Sequence, residues 1–500
     1  MEMRAGSGRW RGALGLWLAA ATAPAAAQVG PLTYQNLFFD QASNVRSGNY
    51  LAADAGFVYT DNATFVGNGA GDTVAEIGLI GNSAERGPRL DYHLDADIAA
   101  VKYLNGSYPL EPTGYLDASG DFKIVPGAFN WQGRETYTQL VINPYLPVTP
   151  NNLENLNTIT TGPRFILRPT LRTTVTLDGI FSYVNSYSPS PLYVNIDNHR
   201  YGGDLKIERA FNSAASVYVR GVYEKVYFND QAINNNFTAA EGLAGYRLAG
   251  ERTFLDVSGG YTQLRELNVE VPVQSIVGIV ERPMTRRLDA ANWAFTLSRV
   301  LTPSQRLELF ASQQLLDAAT LFQADLDQAV PTIAPPQVAV GDPVTNRIFG
   351  ADWHLQGPRT SLDVGLLDTR QRYALTTSEN RDLKDASLVV VRQLSPVLHW
   401  DVGLRFERQD LVGARSVDAT SEITNLRWRI GGRVVLRFLY AHSTFAGISD
   451  NQFGAFVSYV LLGAGGGAAP SGATPTPFEP TLSPYGLQPV SPMSTLSPPR

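Results

Sequence analysis

The stretch Arg89–Tyr103, RLDYHLDADIAAVKY, restricts what this chain can fold into more than any other. Every second residue is apolar: Leu90, Tyr92, Leu94, Ala96, Ile98 and Ala100. Between them stand Arg89, Asp91, His93, Asp95 and Asp97, followed by Ala99 and Val101. Side chains of a β-strand alternate between two faces, so this segment carries one apolar face and one acidic face. A helical period would scatter the same acidic and imidazole groups around an axis. The residues that follow, Asn105–Pro112, read as a loop and not as a helix.

The two-faced strand recurs from Tyr50 to Leu462. Trp400, Val402, Leu404 and Phe406 oppose Asp401, Arg405 and Glu407. Leu426, Trp428 and Ile430 oppose Arg427 and Arg429, and Val434, Leu436, Phe438 and Tyr440 oppose Arg433 and Arg437. Leu205 and Ile207 oppose Asp204, Lys206 and Glu208. Lys384–Arg392 can be faced either way. Short turns rich in Gly, Pro, Asn and Ser, such as Gln356-Gly357-Pro358 and Gly431-Gly432, alternate with longer connections. The longer ones include Asp61–Gly71, Asn143–Leu156, Asn268–Pro283, Ala318–Thr345 and Gly447–Asn451.

Such a strand needs something to cover its apolar face. A soluble sandwich would use a second sheet, but the polar faces here are too charged to line a small core. The repeat also continues without a domain break well past the roughly 250–300 residues at which soluble cores divide. A lipid bilayer covers the apolar faces instead, and a closed barrel is the strand architecture that satisfies every backbone group in lipid. The expected fold is therefore all-β: a transmembrane antiparallel up-and-down β-barrel in the outer membrane, with short periplasmic turns and long outer loops. Parity refines the count. Thr113–Val125 and Thr158–Leu167 both run inward, so an outward strand must lie between them, and Phe129–Val141 supplies it. The total is about 20 strands, with 16–20 allowed.

The ends differ from the barrel. Arg4, Arg9 and Arg11, the apolar run Gly12–Ala23 and the small residues Ala25-Ala26-Ala27 form a secretory signal peptide over residues 1–27. The apolar core is about 12 residues, short of the roughly 20 that span a bilayer as a helix. A periplasmic leader (28–48) precedes the barrel (49–462). Residues 463–500 hold nine prolines and two charged side chains, Glu479 and Arg500, and read as a disordered Pro/Gly-rich tail.

Composition limits the function. The chain has no cysteine, which removes disulfides and thiol chemistry. A net charge of −6 argues against nucleic-acid binding, which needs clustered cations. Of the five histidines, His442 precedes Ser443 on the opposite face, so no nucleophile–base pair forms there. His93 beside Asp91 and His199 beside Asp197 are Asp/His neighbours of a kind common by chance. Neither a catalytic constellation, a metal site nor a cofactor is expected. Four acidic and imidazole groups at about 7 Å spacing along one face cannot share one ion. Asp91, His93, Asp95, Asp97, Asp204, Lys206, Glu208, Arg405, Glu407, Arg427, Arg429, Arg433 and Arg437 are instead expected to face a wet lumen. There an acidic wall would oppose an arginine wall.

The segment Asn143–Phe165, NPYLPVTPNNLENLNTITTGPRF, with the preceding Phe129-Asn130-Trp131, resembles a family of porin-like outer-membrane β-barrels. That family is associated with exopolysaccharide and PEP-CTERM (exosortase) gene clusters. The resemblance implies an outer-membrane location and a link to surface polysaccharide. Its implied partners are membrane lipid, polysaccharide or export machinery, and it supplies no catalytic residues. A passive conduit, a sealed structural or adhesive barrel, and an outer-membrane hydrolase are the three functional classes this leaves. Nothing in the residues specifies an oligomeric state.

Overall fold

The computed structural model describes residues 50–142, 149–188, 195–229, 236–275, 278–316, 343–374, 380–411 and 416–462. The signal segment, the leader and the proline-rich tail lie outside the described residues, as does most of the Ala318–Thr345 connection. Twenty strands follow in order: β1 Tyr50–Thr60, β2 Asp72–Arg86, β3 Leu90–Tyr103, β4 Glu111–Val125, β5 Phe129–Val141, β6 Leu153–Thr170 and β7 Thr173–Tyr187. Next come β8 Asn198–Ala210, β9 Ala215–Phe228, β10 Phe237–Ala249, β11 Thr253–Ser275, β12 Gly278–Thr302 and β13 Gln305–Leu316. The last seven are β14 Val344–Gln356, β15 Thr360–Tyr373, β16 Arg381–Ser395, β17 Leu398–Leu411, β18 Val417–Ile430, β19 Val434–Phe445 and β20 Ile448–Leu462.

Each strand pairs antiparallel with its sequence neighbours, and β1 also pairs with β20 from Thr60↔Gln452 to Leu51↔Leu462. The sheet thus closes on itself and has no edge. The seam is tied at its loop end by side chains as well: Thr60 Oγ1 donates to Asp450 Oδ1 at 2.6 Å, and the Asn62 backbone N–H donates to the same oxygen at 3.0 Å. The outward strand required by parity is present over Phe129–Val141.

Nine connections at one rim are two to four residues long, which marks that rim as periplasmic. At the other rim two expected loops are strand instead. Asn268–Pro283 continues the β11–β12 hairpin, whose pairing runs on from Val269↔Met284 to Ser275↔Gly278. The alternating Val269, Val271 and Val273 suit extended backbone, and the prolines there had concealed it. Ser449–Asn451 belongs to β20, because Ala446 (φ 52°) and Gly447 (φ 82°) alone close the β19–β20 hairpin. Two successive left-handed residues make the turn whose twist matches antiparallel strands.

Burial is inverted relative to a soluble protein. Ile77 (66% exposed) and Phe57 (60%) project outward, whereas Asp401 (0%) and Asp178 (3%) project inward. An outward apolar belt on a closed barrel is the surface of an outer-membrane protein. Outward aromatic side chains stand at both rims: Phe122, Trp400 and Trp428 lie near the short turns, and near the loops His199 packs against Tyr201 and Tyr227 with ring centroids 5.5 and 5.4 Å apart. Such rings suit the boundary between hydrocarbon and water.

At Gly114 (φ +122°) β4 runs close against β3. A Cβ there would stand 1.7 Å from the Asp97 carbonyl oxygen. Gly114→Ala must displace backbone and also strain φ, so it is expected to destabilise the barrel by about 1–3 kcal/mol. The check is the temperature at which the folded, fast-migrating gel band converts to the unfolded one, which should fall. The same substitution at Gly67, which has open space around it, should leave that temperature unchanged.

Candidate functional site in the barrel lumen

The inner wall is the alternate set of residues on every strand, and β3 shows how it is built. Asp91, His93, Asp95 and Asp97 point inward, with Leu90 and Ile98 exposed on the outer face. The antiparallel register then sets a second acidic row beside the first: Asp91 faces Asp121 and Asp95 faces Asp117, both on β4. Carboxylates directly opposite one another repel. The structure answers each repulsion locally. Lys123 Nζ lies 2.6 Å from Asp91, Tyr115 donates to Asp95 at 3.1 Å, and Asn130 Nδ2 donates to Asp121 at 3.0 Å. Arg134 of β5 grips Asp117 with two N–H groups, each at 3.0 Å, the bidentate geometry at which guanidinium is strongest.

The same device runs around the barrel. Arg164 pairs with Asp178 at 2.7 Å, Arg220 with Asp204 at 2.5 Å, and Arg247 with Asp256 at 2.8 Å. Lys206 pairs with Glu208 at 2.7 Å and sits 4.8 Å from the Tyr218 ring centroid. Arg405 bridges Asp385 and Glu407, and Arg437 reaches Asp54 at 3.4 Å. Arg427 Nε lies 2.7 Å from Asp401 Oδ2, a close ion contact without hydrogen-bond alignment.

The expected arginine wall facing an acidic wall therefore does not form. Arg405, Arg427 and Arg437 are taken up by carboxylates on their own or adjoining strands and do not confront Asp91–Asp97 across the lumen. The cause is range: a contact below 3 Å outweighs a field acting across water. Arg429 is on the inner face but exposed, bonding the Pro396 carbonyl at 3.2 Å. Arg433 belongs to the turn between β18 and β19 and not to a strand.

The ambiguous Lys384–Arg392 stretch has Asp385, Ser387, Val389 and Val391 inside. His93 and His399 face inward, opposite Ser119 and Arg427 respectively. His354 Nδ1 contacts Asp363 at 2.5 Å. His442 faces outward against Asn451 at 2.9 Å, while its neighbour Ser443 faces inward. Asp197 accepts the Ser186 backbone N–H at 2.6 Å, organising a loop. Among the described residues no group of three or more His, Asp or Glu is arranged to hold a metal ion.

Two features escape a reading strand by strand. One is the acidic row Asp117 and Asp121, legible only once register pairs it with β3. The other is apolar packing inside the barrel. Val58, Val74, Val101 and Tyr103 form an inner cluster with Ala63 and Tyr108 of the adjoining loops. Leu156, Val184 and Phe237 form another with Ile142 and Ile196.

No protein-family model matches the chain, and no curated protein matches it. Solved structures similar to it include the copper transporter OprC, at 10% identity over 83% of this chain and 81% of that one (TM-score 0.42). The siderophore receptor PiuA from Acinetobacter baumannii also matches at 10% identity, over 83% and 82%, with a TM-score of 0.42. OpdL of Pseudomonas aeruginosa matches at 15% identity over 83% of this chain and 98% of that chain (TM-score 0.36).

Arg405 is the most heavily committed cation of the wall, holding two buried carboxylates. Arg405→Gln should strand both and lower stability by about 3–5 kcal/mol, read from denaturant unfolding in detergent. Replacing Arg429, which bonds a single turn carbonyl, should cost under 1 kcal/mol.

Proposed function

We propose that this protein is a porin-like conduit of the outer membrane that passes polar solutes or polymer without chemistry, in the setting of exopolysaccharide secretion. The observation that carries the reading is the inner wall: a closed ring of strands whose inward positions are charged and hydrogen-bonding on every side. Twenty strands enclose a lumen wide enough for water unless it is filled from within. The wall has a local sign. On β3 and β4 Asp91, Asp95, Asp97, Glu111, Asp117 and Asp121 face inward with one cation of those strands, Lys123, and Arg134 from β5. Carboxylate rings favour cations and uncharged polar solutes over anions. The link to exopolysaccharide rests on the resemblance in Asn143–Phe165. Outer-membrane lipid and export machinery are the corresponding partners.

A second reading, a sealed structural or adhesive barrel, is favoured by the loop residues Ala63, Tyr108, Ile142 and Ile196, which pack in apolar clusters with inner-wall residues. Planar bilayers separate the two. The conduit reading predicts stepwise ohmic conductance; a purified, folded barrel that gives none is sealed. For an open channel, Asp91→Asn/Asp95→Asn/Asp97→Asn should shift the reversal potential in a salt gradient towards anions. An unchanged potential would remove β3 from any role in selectivity. Deletion of the gene in its host should reduce secreted polysaccharide if the exopolysaccharide setting is right, and normal secretion would refute it.

A further inference from the structure

The outward face of the barrel is apolar over most of its height, yet at the loop rim of β11–β17 it carries a row of cations. Arg265, Arg287, Arg347, Arg370, Lys384 and Arg408 all occupy outward positions and are exposed. Their register sets cation against cation, as it also does inside the barrel at Lys206/Arg220 and Arg427/Arg437. Arg265 lies directly opposite Arg287, Arg347 opposite Arg370, and Lys384 opposite Arg408. Like charges directly opposed across strands destabilise a sheet, and this occurs three times at one rim. At the periplasmic rim the outward cations stand alone: Arg209 opposite Val217, Arg299 opposite Leu307 and Arg392 opposite Trp400.

Protein carboxylates answer this charge only in part. Arg287 is paired with Asp289 at 2.8 Å, and three carboxylates stand among the cations of β14–β17: Asp368 lies 3.4 Å from Arg370 and opposite Lys384, Asp382 is opposite Arg370 and 2.5 Å from the neighbouring Arg372, and Asp410 lies 3.2 Å from Arg408 and 3.8 Å from Lys384. Arg265 donates to Gln263, a neutral amide, and Arg347 to Gln313. In the lumen, by contrast, Arg164, Arg220, Arg247, Arg405 and Arg427 each meet a carboxylate within 3 Å.

Height identifies what could supply the missing anions. Arg347 is two residues above the outward Phe349, and Arg408 two above the outward Phe406. At roughly 3.3 Å per residue the charges stand about 7 Å further along the strand than these rings, or about 5 Å in height at the tilt of a barrel strand. Side chains there project sideways into the membrane at headgroup depth, away from lumen and loops. The anions available at that depth are lipid phosphates, and a guanidinium fork matches phosphate oxygens in pairs.

We propose that the outward loop-rim face of β14–β17, centred on Arg347, Arg370, Lys384 and Arg408, binds the phosphate groups of outer-leaflet lipid headgroups. The site is independent of what passes through the lumen. The test uses the full chain in nonionic detergent, titrated with bis-phosphorylated lipid A, with the same lipid after enzymatic dephosphorylation, and with inorganic phosphate. Binding is read by native mass spectrometry and by the temperature of the gel-mobility shift.

The phosphorylated lipid should bind and raise that temperature, and removing its phosphates should weaken binding by about tenfold or more. Arg347→Gln/Arg370→Gln and Lys384→Gln/Arg408→Gln, made separately so that one folded variant suffices, should each cause a comparable loss. Arg209→Gln/Arg299→Gln at the other rim should cause none. Equal binding of the dephosphorylated lipid, or wild-type affinity in a folded variant of either pair, overturns the proposal. So does inorganic phosphate alone binding as tightly as the lipid, which would make this a free-anion site.

Discussion

The structure depends on one requirement: a backbone that crosses hydrocarbon must find every hydrogen-bond partner within itself. In water an unpaired sheet edge is tolerable, because solvent replaces the missing strand. In lipid each orphaned N–H or C=O costs several kcal/mol, so an open sheet of nineteen paired interfaces would fail at its two ends. The β1–β20 pairing supplies the twentieth interface. An even strand number and the location of both barrel ends at the same, periplasmic rim follow from that closure of an antiparallel order. The side chains of Thr60 and Asp450 and the backbone N–H of Asn62 reinforce the seam where it meets water, as expected of a joint whose failure would expose two edges at once.

Once the ring is closed, the two faces of each strand meet different solvents, and this is why so much of the fold was legible. Alternation at Arg89–Tyr103 specified extended backbone, the identity of the inner face and the need for a covering medium. Chain direction did the rest, since parity alone demanded β5. The failures have physical causes too. Asn268–Pro283 holds prolines and reads as a loop because propensity is local, but a two-stranded ribbon tolerates proline where its N–H would face solvent. The β19–β20 turn reads as longer in the sequence because Ala446 is not an obvious left-handed residue. Lys384–Arg392 could not be faced because its inner positions combine Asp385 with Val389 and Val391. The inner face of a barrel, unlike a solvated surface, can hold apolar packing.

The candidate site was legible by face and illegible by partner. Sequence shows that Asp91 and Arg405 point inward; it does not show that Asp91 meets Lys123 or that Arg405 holds Asp385. Those pairings are set by register, which depends on turn lengths several strands away. The consequence is electrostatic. Charges separated across a wet lumen would be screened within about 10 Å and would act on whatever passes between them. Charges paired along the wall act mainly on one another and stiffen it. What remains to act on a solute is the local surplus, and that surplus is acidic on β3–β4.

The outer face is compensated less completely. Inside, where water and carboxylates are at hand, opposed cations such as Arg427 and Arg437 each reach a carboxylate, Asp401 at 2.7 Å and Asp54 at 3.4 Å. Outside, above Phe349 and Phe406, Arg347 opposes Arg370 and Lys384 opposes Arg408, with Asp368, Asp382 and Asp410 between them, fewer carboxylates than cations. One register governs both faces, since residues that pair inward alternate with residues that pair outward along the same two strands. Asp385 meets Glu407 inside, with Arg405 bridging them, and one position further along Lys384 meets Arg408 outside. A shift that relieved the outer repulsion would break the inner bridge. The repulsion is therefore held in place by the lumen's ion pairs, and the charge it leaves is available to whatever anion the membrane presents at that depth.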